Sequence, residues 1–82
     1  MSKDGQVARA KQDLAKRLGI PESEIAAKSV QETDWPDASL GVGEPGQFYA
    51  QMLVFGYIIK LEAKGKTYTY HSDDRSRVVA AS

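Results

Sequence analysis

One histidine, no cysteine and no asparagine set narrow terms for any chemistry in this chain of 82 residues. With His71 alone, a metal site of two or three histidines cannot be assembled within one chain. Without cysteine there is no thiolate nucleophile, no disulfide and no cysteine zinc site. Ser39, His71 and Asp37 could formally supply a serine triad. However, no Gly-x-Ser-x-Gly elbow raises the serine, and so short a chain has little depth for a water-excluding pocket. His71-Ser72-Asp73 could lend an imidazole and a carboxylate to a weakly held ion; the simpler role for His71 is a strand residue paired with its cross-strand neighbour. Glu22/Glu24 and Asp73/Asp74 are paired carboxylates at turn positions, where solvated acids are common. Gly41-Val42-Gly43-Glu44-Pro45-Gly46 lacks the following Lys-Ser/Thr of a phosphate loop and carries an acid that repels phosphate. These residues imply no resident metal and no cofactor. An enzyme, in the form of a small hydrolase using Ser39, His71 and Asp37, is the least favoured reading.

Phe48, Tyr49, Tyr57, Tyr68 and Tyr70 are the kind of side chains that stack bases on a sheet, but they lack the pattern of basic interleaving that such platforms use, and an acidic loop lies beside them. Eleven bases balance eleven acids, so the uniform positive field that drives nucleic-acid binding is missing and no nucleic-acid partner is expected. The balance is uneven along the chain: residues 1–20 carry +3, residues 21–50 carry −5 and residues 51–82 carry +2. A compact domain that pairs these regions accounts for the pattern. The alternative is an acidic middle third that meets a basic partner. No run approaches the roughly 18 to 20 apolar residues of a membrane span, and no membrane role is expected. Met1-Ser2-Lys3-Asp4 leads into polar sequence without an apolar signal region. The missing signal region and cysteines lean toward the cytoplasm.

The elements that hold these side chains follow from apolar spacing. Val7, Ala10 or Lys11, Leu14 and Leu18 recur at three- and four-residue steps, widened by Ala8 and Ala15, and predict an amphipathic helix over residues 4–18. Asp4 is the expected cap, and Arg9, Asp13 and Arg17 are spaced to pair on the wet face. Gly19 ends the helix in a left-handed conformation, Ile20 packs back and Pro21 blocks continuation. A connector over residues 21–25 leads to a weakly alternating strand over residues 26–33, with Ile25, Val30 and the alanines Ala26 and Ala27 expected inward. Pro36 terminates it. Residues 48–54 read as a short strand, and Gly56 as a bend or bulge before the next.

From Tyr57 the alternation is clear. Residues 57–63 run out, Lys64-Gly65 makes a two-residue turn and residues 66–71 return. That register sets Leu61 against Tyr68 and Ile59 against Tyr70 on the core face. It sets Lys60 against Thr69, Glu62 against Thr67 and Ile58 against His71 on the other. A final short strand covers residues 77–80. The order defines an α+β class: one N-terminal helix packed on an antiparallel β-meander of three to five strands, a two-layer sandwich forming a single small domain over residues 1–82.

Residues 36–47 are the longest irregular stretch, with Gly41, Gly43, Pro45 and Gly46 after the opening proline. Loops of that length are usually functional or compact Ω-loops. Alanine at Gly41 or Gly46 should destabilise, because both positions suit left-handed backbone. Trp35, at the base of the loop, is either a core plug or a contact anchor. The favoured function is a non-enzymatic binding or regulatory module with the loop over residues 35–47 as its contact surface for a protein partner. Trp35, Asp37, Ser39, Glu44, Tyr49 and His71 are its candidate binding residues. The competing account is an Ω-loop that merely covers one end of the sheet, with Leu40 and Pro45 sealing the core. An inhibitor of a peptidase or other hydrolase, presenting the same loop to a cleft, is the alternative function.

Trp35-Pro36-Asp37-Ala38-Ser39-Leu40-Gly41, Glu44-Pro45-Gly46, Tyr49-Ala50-Gln51, Gly56-Tyr57 and Tyr68-Thr69-Tyr70-His71 together resemble a family of small uncharacterised bacterial α+β domains, some of them exported. The resemblance covers residues 14–79 and implies a domain boundary rather than an activity. The family pattern commonly places Cys-Pro after Ser-Leu-Gly and a second cysteine near the last strand. Here Val42-Gly43 and Ala80-Ala81 stand in those regions, which implies a reducing compartment for this member.

Overall fold

The computed structural model describes residues 3–36, 39–41, 43, 46, 48, 53–75 and 77–81. One helix, α1 (Lys3–Leu18), packs on a four-stranded antiparallel sheet of β1 (Ala26–Trp35), β2 (Val54–Ala63), β3 (Lys66–Asp73) and β4 (Val78–Ala80), in the order β1-β2-β3-β4. A single 3₁₀ turn, Glu22–Glu24, links helix to sheet. The α+β class expected from element order is the fold observed.

The helix stop follows its sequence signal. Gly19 takes φ +67°, and the Ile20 amide reaches back to the Ala15 carbonyl at 3.1 Å, satisfying an acceptor the helix would otherwise leave open. The start differs: the helix begins at Lys3, so Asp4 lies inside the first turn, where its charge suits the dipole, rather than at the cap. The buried stripe is Gln6, Ala10 and Leu14, with Val7, Ala15 and Leu18 packed at its edges. Ala8, expected to widen it, is exposed. Gln6 takes its place because the amide has a partner below, donating from Nε2 to the Asp73 carbonyl at 2.9 Å.

Arg9, Asp13 and Arg17 were expected to pair along the wet face. Instead Asp13 and Arg17 converge on the sheet. The Tyr70 hydroxyl donates to Asp13 Oδ2 at 2.6 Å and accepts from Arg17 Nη1 at 3.2 Å, tying helix to strand above a fully buried ring. Burial first, and the bond to Asp13 next, push the Tyr70 pKa up from 10.0 to about 12. The native state thus keeps a proton that the unfolded chain has begun to lose. The corresponding stability is whole below the unfolded value of 10.0 and is lost as pH rises toward about 12. Tyr70→Phe should cost about 1 to 2 kcal/mol near neutral pH. In urea melts that deficit should narrow across this alkaline window, and a constant deficit would overturn the assignment.

The hairpin register holds pair by pair: Leu61↔Tyr68, Ile59↔Tyr70, Lys60↔Thr69, Glu62↔Thr67 and Ile58↔His71. Lys64 (φ 52°) and Gly65 (φ 77°) are both left-handed, the turn whose twist matches two right-twisted strands. Ile59, Leu61 and Tyr70 are fully buried beneath Ala10 and Leu14, with Ile25 and Ala63 completing the core and Tyr68 at its edge. The first strand runs two residues further than expected, to Trp35, and carries the sheet's irregularity itself, between Ala27 and Ser29, where Ala26 and Ala27 are exposed rather than inward. Gly56 is no bulge. It sits inside β2, paired with Thr33 on one side and Asp73 on the other. The strand expected over residues 48–54 is present only from Val54; Phe48 and Leu53 lie outside it, and residues 49–52 are outside the described set.

Candidate binding surface

Alternation along the strands sorts the candidate residues onto two faces. Trp35, Thr33, Gly56, Ile58 and His71 fall on the face away from the helix. There the indole lies against the imidazole, with ring centroids 4.5 Å apart and planes tilted by 33°. Trp35 Nε1 donates to the Ser72 carbonyl at 2.8 Å. This reach passes over Gly56: a Cβ there would overlap the Ser72 carbonyl oxygen and come within 2.7 Å of Nε1. The loop then closes the cluster. Leu40 is buried despite φ +56°, a conformation costly for a bulky residue, and its carbonyl accepts from His71 Nδ1 at 2.7 Å. Because a carbonyl only accepts, the ring proton sits on Nδ1. Gly41 follows at φ +75°, close enough that a Cβ would touch the indole at 3.0 Å.

Of the six candidate binding residues, the structure brings Trp35 and His71 together and sets half-buried Ser39 immediately before Leu40. Asp37, Glu44 and Tyr49 lie outside the described residues. Within the described part of the loop, Leu40 and the Trp35 ring turn inward and pack, whereas Pro36, Gly41, Gly43 and Gly46 are exposed. His71 gives to a backbone carbonyl the nitrogen that a triad would give to a carboxylate, and Asp37 lies outside the described residues. Among the described residues no group of three or more His, Asp or Glu side chains is arranged to hold a metal ion, and no helix is long and apolar enough to cross a membrane.

The helix-side face has a feature that sequence reasoning missed. Ile59 and Leu61 are fully buried, Tyr57 is half-buried and Phe55 is 60% exposed, so the helix's cover fades toward the start of β2. The placement of the helix explains it: its first turn reaches the end of β3, where Gln6 bonds the Asp73 carbonyl, but it lies closer to β2 and β4 than to β1, so the β1 side of this end stays open. The register sets Asp34 opposite Phe55 and Glu32 opposite Tyr57. Together with Asp74 these four line an open groove of about 360 Å³. On the far side of Phe55 a second hollow of about 280 Å³ is lined by Leu53, Asp74 and Arg75. The turn carrying Asp74 is held by Asp73, whose Oδ1 accepts from the amides of Arg75 and Arg77, each at 2.9 Å. The available signal was Glu32 and Asp34 at a two-residue spacing, which puts both on one strand face.

The fold and surface define a small α+β domain of one helix over a four-stranded meander, with its aromatic plug and its open groove on opposite faces of the sheet. The chain belongs to the domain of unknown function DUF8738, whose family model matches residues 7–81. No curated protein and no solved structure matches it.

Proposed function

We propose that the domain is a non-enzymatic binding module, meeting a protein partner at the end of the sheet where residues 36–53 leave and return. The observation that carries this reading is the exposure of three large apolar side chains along that path: Phe48 at 100%, Leu53 at 61% and Phe55 at 60%. Leu53 and Phe55 share one hollow, and clustered apolar exposure of this kind marks interaction sites, whereas scattered single residues do not. The inward packing of Leu40 and Trp35 moves the expected contact surface from the loop's base toward this end. A bacterial source, and a Trp35-to-Gly41 motif shared with relatives, belong to the same reading.

Photo-crosslinking in cells tests it. A benzophenone amino acid replacing Phe55 should yield a discrete protein adduct. The same residue replacing Lys60, exposed on the opposite face, should not. Absence of an adduct at position 55, or equal adducts at both positions, overturns the proposal.

A further inference from the structure

We infer that the groove between Phe55 and the acids of β1 seats a basic, apolar peptide segment of the partner, with a lysine or arginine side chain lying across the aromatic rings. This rests on the binding-module reading and adds the partner's chemistry. The groove combines two features that one kind of occupant satisfies. Its floor is aromatic, Phe55 and Tyr57, and its rim is acidic, with Glu32 and Asp34 on one wall and Asp74 on the other. A guanidinium or ammonium group gains from a ring face and from carboxylates at once, while its aliphatic stem covers apolar surface. Asp74 already has an interaction within the chain, so the recognition rests on Glu32 and Asp34, both exposed.

Charge complementarity sets the partner's sign. The segment over residues 21–50 that supplies this wall carries −5, whereas the flanking segments are positive. An acidic partner would be repelled from the groove, and a purely apolar one would leave the exposed carboxylates to be desolvated without return. Among the described residues the three carboxylates are not grouped as a metal shell. Leu53, beyond Phe55, extends the apolar floor for the residue next to the cation.

The test is selection of a displayed library of linear peptides on the full chain, run in low and in high salt. Enrichment of sequences that place Lys or Arg beside an aliphatic residue is expected in low salt and should weaken in high salt. The selected peptides should lose about tenfold in affinity for Glu32→Gln/Asp34→Asn, two exposed replacements that leave the melting temperature unchanged. Peptides without basic residues that still depend on Phe55 would overturn the inference and leave the binding module standing. A selection that yields no peptide dependent on Phe55, Glu32 or Asp34 overturns it as well, and the crosslinking at position 55 then decides the module by itself.

Discussion

Gly56→Ala should cost about 3 kcal/mol or more, enough to leave much of so small a domain unfolded. The methyl group has nowhere to go: it overlaps the Ser72 carbonyl oxygen and approaches Trp35 Nε1 to 2.7 Å. The first obstacle is backbone in the neighbouring strand, so no rotamer change relieves it, and the second is the donor of a buried bond. Trp35→Phe separates the two effects. It removes the indole N–H together with part of the buried bicyclic ring that packs on His71, while leaving Gly56 untouched, for an expected loss of at least about 1 to 3 kcal/mol. Chemical denaturation of both variants checks the order. If Gly56→Ala proves as stable as wild type, β2 and β3 do not approach each other as described.

The second large effect belongs to the helix. Leu14 is fully buried in the layer that also holds Ile59, Leu61 and Tyr70, and Leu14→Ala should cost about 2 to 5 kcal/mol. Domains of this size hold only about 5 to 15 kcal/mol in all, so the melting temperature should fall sharply. Leu18→Ala, at the half-buried edge, should cost less. A melting curve unchanged by Leu14→Ala would mean that the helix does not dock on the sheet.

Those two positions also divide what was legible beforehand. Leu14 could be placed in the core from spacing alone, because a helix of 3.6 residues per turn repeats its face locally. The hairpin was equally legible: Lys64-Gly65 permits one tight turn, and a period of two then assigns every side chain on both strands to a face. The end of the helix at Gly19-Ile20-Pro21 belongs to the same group, since its signals all lie within one turn of chain.

Gly56, Gln6 and the pairing of Asp13 with Tyr70 needed tertiary structure, for a shared reason. Each depends on a residue far away in sequence: Ser72 and Trp35 for Gly56, Asp73 for Gln6, and a strand 57 residues on for Asp13. A glycine that makes room for an indole and a glycine that makes a bulge are the same letter, and only the neighbouring strand distinguishes them. The groove is a further step removed. Glu32 and Asp34 read as ordinary exposed acids until the β1–β2 register sets them opposite Tyr57 and Phe55, and until the helix settles nearer β2 and β4 than β1. The helix, the hairpin and the α+β order were legible in the sequence, because local periodicity and turn stereochemistry are properties of adjacent residues. Which part of the sheet stays open, and what chemistry it gathers there, is set by tertiary structure alone, because it follows from which strands the helix lies over.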